Sequence, residues 1–453
     1  MKRKHVGILL AAAMTLGACG SSTTGSAQQG ALDTSTAKGT VNYWLWDDNQ
    51  KPAYQKCATD FMKANPGIDI KITQYSWDDY WNSLNNAMAS GTAPDVFTNH
   101  LTMYPQYVSQ QQLQPLDDTL AADHFDTDQY QPGLASLWVG QDGLRYGLPK
   151  DFDTIALYYN KQLLADAGVS ADQLAALTWN PDDGGTYEKM MAHLTIDANG
   201  KRGDEQGFDK AKVKVYGLGL DGYSGGALGQ AQWSMYTATQ GWTVTDKNPW
   251  GTHYNYDKPE FQKTIAWMQG MMSKGYMPPL EAITGQTTMD LFAAGKYATV
   301  MNGSWVINQA YSYKGLQVGI APTPLGPNGK RASMYNGLAD SVWAGSQNKA
   351  AAIKWVEYLG SAACQDVIGK ASVVFPAIPH ATDLAKDAFA SKGIDVKNFL
   401  IHLENKTGFL PQVTEHGPEI NGIMNPAVDA VVTGQKPASS LTQANEEVNA
   451  LFN

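Results

Sequence analysis

Three short patterns in this chain have spacings that carry chemistry in other settings. Gly222-Tyr223-Ser224-Gly225-Gly226 reads G-x-S-x-G, the turn that presents a serine nucleophile, and His380, His402 and His416 follow it in the order a triad needs. Gly217-Leu218-Gly219-Leu220-Asp221-Gly222 overlaps it and reads G-x-G-x-x-G, but it does not open a βαβ unit and lacks a suitable acid downstream. Two overlapping glycine patterns in one loop fit a flexible rim better than a catalytic turn. Asp197-Ala198-Asn199-Gly200-Lys201, followed by Asp204 and Glu205, is acid-rich. Its glycine stands fourth where a calcium loop needs it sixth, so a β-turn on Asn199-Gly200 is expected and a structural cation is the alternative. A glycoside hydrolase needs two carboxylates flanking the scissile bond, and no signature here pairs them. No metal or cofactor is expected.

Composition points to a different chemistry. The 453 residues include 13 Trp and 22 Tyr against 12 Phe, side chains that combine an apolar face with a polar handle. Such faces stack on the C–H surface of a pyranose, while carboxylates and amides take its hydroxyls in paired hydrogen bonds. A net charge of −10 argues against nucleic acid and against electrostatic adsorption to an anionic membrane. With 43% hydrophobic and 17% charged residues the chain is globular, and its length suits two or three domains.

These side chains need elements to position them. Val41 to Trp46 alternates as a strand, residues 53–64 carry apolar side chains at helical spacing, and Ile68, Ile70 and Ile72 form a second strand. Ser76 with Asp79 forms a capping box, after which Trp77, Tyr80, Trp81, Leu84 and Met88 share one helix face as far as Gly91. Pro94 to Phe97 is a third strand. This order is a βαβαβ unit with a parallel sheet, and ligands sit beyond the carboxyl ends of such strands. Trp46, Asp47, Asp48, Asn99 and His100 therefore share one rim. Strands resume at Ile155–Tyr159, Val213–Leu220 and Ala298–Met301, and helical periodicity marks 350–370 and 418–432. Trp44, Trp81 and Trp355 fall at core-facing positions, and Asp95 is expected to brace backbone amides.

At the N-terminus, Lys2, Arg3 and Lys4 precede an apolar run from Val6 to Leu16, the layout of a signal peptide. Leu16-Gly17-Ala18-Cys19 resembles a bacterial lipobox, which implies cleavage before Cys19 and a lipid on its sulfur. The small polar residues that follow read as a tether over 19–39. Cys57 and Cys364 remain; pairing is open to them in an exported protein, but two buried free thiols are the expectation.

Several phrases in register resemble one family, the solute-binding proteins of bacterial ATP-binding-cassette (ABC) importers in their sugar-binding, maltodextrin-related branch. They include Met88 to Phe97, Leu113 to Asp117, Gly147 to Asp153, Leu157 to Lys161, Asn302 to Trp305 and Asn348 to Trp355. The resemblance implies an α/β fold of two lobes, a hinge and an interlobe ligand cleft. It places lobe 1 at 40–149 plus 320–345 and lobe 2 at 150–319 plus 346–453, after a signal peptide at 1–18. It implies a monomer that captures an oligosaccharide by hinge closure and delivers it to the importer's transmembrane permease. The protein would be held by a lipid on Cys19 at the outer face of the cytoplasmic membrane, with no enzyme activity. Carried over position by position, it makes Trp46, Asp48, Asn99, His100, Asp153, Trp305, Asn336 and Asp340 ligand contacts. Tyr223 and Trp233 are candidates by position in their loop, and Glu415 is the last candidate. A surface glycoside hydrolase or esterase is the alternative.

Overall fold

A computed structural model describes residues 30–453; the signal peptide and Cys19 lie outside the described residues. Strand β1 (Gly39–Leu45), helix α1 (Lys51–Ala64), β2 (Ile68–Gln74), α2 (Trp77–Ser90) and β3 (Val96–Asn99) follow the expected order. β1 pairs in parallel with both β2 and β3. The isoleucines of β2 alternate as anticipated, Ile68 and Ile70 being buried and Asp69 exposed. Ser76 Oγ donates to Asp79 Oδ2 at 2.6 Å, so the expected box closes between side chains rather than onto the α2 backbone. Asp95 accepts the Asn42 amide at 2.9 Å and the Ser346 hydroxyl at 2.6 Å, the bracing role read from sequence.

The chain then builds β4 (Leu148–Asp153) and, after Thr154 alone, β5 (Ile155–Asn160). Thr154 is a crossing point between two sheets. The second sheet continues with β6 (Ile196–Asp197), β7 (Val213–Gly219), β8 (Tyr297–Gly303) and β9 (Val318–Ala321), in the order β6-β7-β8-β5-β9. The chain crosses back through β10 (Ser333–Met334) to β11 (Asn336–Val342), and β12 (Phe375–Pro376) completes the first sheet as β12-β4-β11-β3-β1-β2. β13 (Gly408–Phe409) pairs with β10 beside the crossing. The two crossing strands are tied where they meet: Ile155 N donates to Ser333 Oγ at 2.8 Å.

Sheet membership shifts the expected lobe boundaries. β4 runs to Asp153 within the first sheet, and β9 holds residues 320 and 321 in the second. Helices Lys349–Leu359 and Ala362–Ala371 cover the first sheet rather than the second. Trp355, Val356 and Ile368 bury there with Val41, Tyr43, Phe61 and Ile70. Trp355 is core as anticipated, whereas Trp44 and Trp81 are only half-buried.

Cys57 on α1 and Cys364 on Ala362–Ala371 form a disulfide with Cα atoms 5.3 Å apart, correcting the expectation of free thiols. The apolar periodicity of both helices carries the cysteines to the same buried seam. The tether reading also changes at its end. Leu32 N donates to Thr119 Oγ1 at 3.1 Å, Thr34 Oγ1 donates to Asp123 Oδ2 at 2.6 Å, and Lys354 Nζ donates to Thr34 O at 3.0 Å. Residues 32–37 are thus strapped to the first lobe. Among the described residues, no helix is long and apolar enough to cross a membrane.

Candidate functional site: an interlobe cleft

Both sheets end their strands on a cleft of about 560 Å³. The first lobe contributes the turn after β1 (Trp46 to Gln50), the first residue of α2 (Trp77), His100 after β3, Asp151 and Asp153 at the end of β4, and Asn336 on β11. The second lobe contributes Asp221 and Gln230 after β7, and Ser304, Trp305 and Gln309 after β8. Parallel strands deliver their carboxyl ends to one edge, which brings residues far apart in sequence onto one surface.

Indoles stand on both sides. Trp305 comes from the second lobe; Trp77 and Trp46 come from the first, their rings 5.1 Å apart and edge to face. Trp81 braces both, 5.5 Å from Trp46 and 5.4 Å from Trp77. Trp77 is 47% exposed, a large apolar side chain left open to the cleft. The helical repeat assigns Trp77 to the core face of α2. As the first residue of a helix that follows a strand, however, it sits at the rim, and that position is the signal for its role. Asp151, Asp221, Gln230 and Gln309 also escape the sequence reading, though Asp221 follows β7 as Asp47 follows β1.

Polar groups already meet across the cleft. Gln230 Nε2 donates to Asp153 Oδ1, and Asn336 Nδ2 lies 3.4 Å from Gln230 Oε1 and 3.5 Å from His100 Nε2. Burial, with the charge of Asp151 adding to it, holds the Asp153 carboxyl well above the ordinary carboxylate range. Burial also raises Asp151 to about 7 and lowers His100 to about 4, leaving the imidazole neutral. His100 Nδ1 accepts the Thr102 amide at 3.2 Å and lies 2.8 Å from Thr102 Oγ1, which holds the ring against its own loop.

Trp46, Asp48, His100, Asp153, Trp305 and Asn336 therefore line the cleft where the sequence put them. Five other candidates do not. Asn99 is fully buried, donating to Ser341 Oγ at 3.1 Å and accepting the His100 amide at 2.9 Å. Asp340 is 1% exposed, because β11 turns it inward onto Lys150. Tyr43 Oη donates to Asp340 Oδ1 at 2.8 Å, and Lys150 Nζ lies 3.4 Å from the same oxygen. Tyr223 is buried and gives its hydroxyl to Pro278 O. Trp233 packs edge-on against Phe261 at 4.9 Å and donates to Ser224 O at 2.6 Å. Glu415 lines a separate hollow with Trp250 and Lys349. In these places loop position alone does not say which way a side chain turns.

The patterns that suggest catalysis have structural explanations. A Cβ on Gly217 would meet Met191 O at 2.1 Å, and one on Gly219 would meet the Tyr297 ring at 2.4 Å, so both glycines allow β7 to pack closely. The three downstream histidines are engaged elsewhere: His402 with Thr407, His416 against Phe452, and His380 beside Asp366. Asp197 accepts the amides of Asn199, Lys201 and Asp209 at 2.8–2.9 Å, which uses its oxygens and holds it below the usual carboxylate range. Among the described residues no group of side chains is placed to hold a metal ion.

Two α/β lobes joined by crossing strands, with aromatic and polar groups facing each other across the gap, define a binding protein that encloses a small polar ligand. The family model described as bacterial extracellular solute-binding protein matches residues 56–394, and the chain belongs to that family, whose members bind solutes and are not enzymes. The galactooligosaccharide-binding protein of Bacillus subtilis (strain 168) is 25% identical over 457 residues, 98% of this chain and 96% of that one. The maltooligosaccharide ABC transporter solute-binding lipoprotein of Streptococcus pneumoniae serotype 4 is 26% identical over 458 residues, 98% of this chain and 95% of that one. The ABC substrate-binding protein Lmo0181 from Listeria monocytogenes, solved with cycloalternan, shares the fold with a TM-score of 0.77 at 20% identity, covering 91% of this chain and 99% of that one.

Proposed function

We propose that this protein captures an oligosaccharide in the interlobe cleft and delivers it to the transmembrane permease of an ABC importer. The observation that carries the reading is the facing pair of indoles, Trp305 on one lobe and Trp77 with Trp46 on the other, around a lining of carboxylates and amides. Closing the lobes on a sugar ring stacks both of its faces and shields its hydrogen bonds from water. The ligand residues are Trp46, Asp48, Trp77, His100, Asp153, Gln230, Trp305 and Asn336. The relatives named for oligosaccharides and for ABC transport support the substrate class and the permease partner. The S. pneumoniae relative is named a lipoprotein, which supports a lipid on Cys19, export and retention at the outer face of the cytoplasmic membrane. The protein acts as a monomer, since one chain builds both walls of the cleft.

Isothermal titration of the chain from residue 31 against a panel of oligosaccharides, with recovery of the bound sugar, tests this. Saturable binding with the sugar returned intact is expected. Shortened products, or no binding by any sugar, would overturn it.

A further inference from the structure

The charges of the cleft lining are one-sided. Asp47, Asp48, Asp151, Asp153 and Asp221 line it, and no lysine or arginine does. The lysine next to Asp151 is already committed: Lys150 Nζ donates to Tyr43 Oη and to Thr98 Oγ1 at 2.8 Å each and faces Asp340. A second observation points to what is missing. Asp151 is 2% exposed, lines the cleft, and its Oδ2 is buried with no hydrogen-bond partner. An acceptor buried in that state calls for a donor, and a carboxylate among other carboxylates calls for positive charge. Neutral hydroxyls satisfy the lone pairs and leave the charge uncompensated. An ammonium group supplies both, since it carries three donors and no acceptor. A metal ion is the other source of positive charge, but no set of ligating side chains converges here among the described residues.

Resting on the reading of the cleft as a sugar site, we propose that the saccharide it takes carries a protonated amine, received by the unpartnered Asp151 carboxyl, with Asp47, Asp48, Asp153 and Asp221 adding negative charge to the surrounding lining. Burial is the main cause of the raised pKa values of Asp151 and Asp153; at Asp151 the charge of Lys150 offsets it only in part, and at Asp153 the charge of Asp151 adds to it. An arriving ammonium lowers them and releases protons to the buffer.

Titrations of the chain from residue 31 with matched saccharide pairs test the proposal. The pairs are cellotriose and the glucosamine trimer, maltose and an aminodeoxymaltose, and trehalose and trehalosamine. In a pair that binds, the amine member is expected to bind at least about tenfold more tightly, with a gain that shrinks as salt rises. Proton release should appear as a dependence of the heat on buffer ionisation enthalpy. Asp221→Asn is exposed, so folding is spared, and it should narrow the gap within the pair; Asp153→Asn should do the same. Neutral members binding as tightly as their amines in every pair that binds would overturn the charged-ligand proposal and leave sugar capture standing. Failure of all six sugars would overturn both.

Discussion

Trp305 and Asp340 make opposite predictions at the residue scale. Trp305 packs in the cleft wall without entering the fully buried core, so Trp305→Ala should weaken binding of the captured sugar by about 2 to 4 kcal/mol while the melting temperature stays near that of the parent. Full affinity in that variant would remove Trp305 from the site. Asp340 touches no cleft surface. Asp340→Ala leaves Lys150 buried without its anion and should cost roughly 3–5 kcal/mol of folding stability, read by denaturant titration. The contrast also shows what sequence discloses at this scale. The turn after β1 exposes Trp46 and Asp48 because strand ends in a parallel sheet all open on one edge. Asn336 at the start of β11 lines the cleft and Asp340 lies in the core, although strict alternation gives residues four apart the same face; the pairing with β4 shifts between Leu338 and Ala339, and a single sequence does not reveal such an irregularity.

At the scale of elements, periodicity identifies helices but not the sheet they cover. Residues 350–370 read clearly as helical, yet both lobes need covering helices. Only the packing of Trp355 and Val356 against Val41 and Tyr43 assigns them to the first lobe. The strap at 32–37 was illegible for a related reason, because its partners Thr119, Asp123 and Lys354 lie far away in the chain. The covalent link between α1 and Ala362–Ala371 rests on the same seam. Removing it with Cys57→Ala and Cys364→Ala together should lower unfolding free energy by about 2–5 kcal/mol. Because the disulfide lies within the first lobe, away from the cleft, sugar affinity should be unchanged. An equal loss of affinity would mean that the seam supports the cleft directly.

For the whole molecule, buried ionisable groups set how stability depends on pH. Asp151 at about 7 and Glu357 at about 8 sit above the free carboxyl values of 3.8 and 4.5, so the folded chain holds protons that the unfolded chain has released. Their contribution to stability falls as pH rises through that interval. His100 and His402, both at about 4 and below the free value of 6.5, work in the other direction, losing stability as pH falls from 6.5. The two effects oppose each other in mild acid. Above pH 6.5 only the carboxyl effect remains, so the melting temperature of the unliganded protein should decline between about pH 6.5 and 8.5. Glu357→Gln should flatten that slope, and an unchanged slope would exclude Glu357 as a source. A second whole-molecule prediction concerns shape: the radius of gyration measured by small-angle scattering should fall when sugar saturates the cleft, because the crossing strands that join the lobes act as a hinge on which they close.

The bond between Cys57 and Cys364 encloses far more than a seam. It makes residues 57–364 a covalent circle that contains all the strands of the second sheet and the loops bearing Trp77, His100, Asp221, Gln230 and Trp305. A protease that cuts any one of those loops opens the circle without releasing a fragment. The two ends stay joined through sulfur, and the cut edges stay packed in their own lobes. Limited digestion should therefore give one full-length band without reductant and two with it. A member of this extracellular family can in this way be nicked at the loops around its cleft and still hold its sugar.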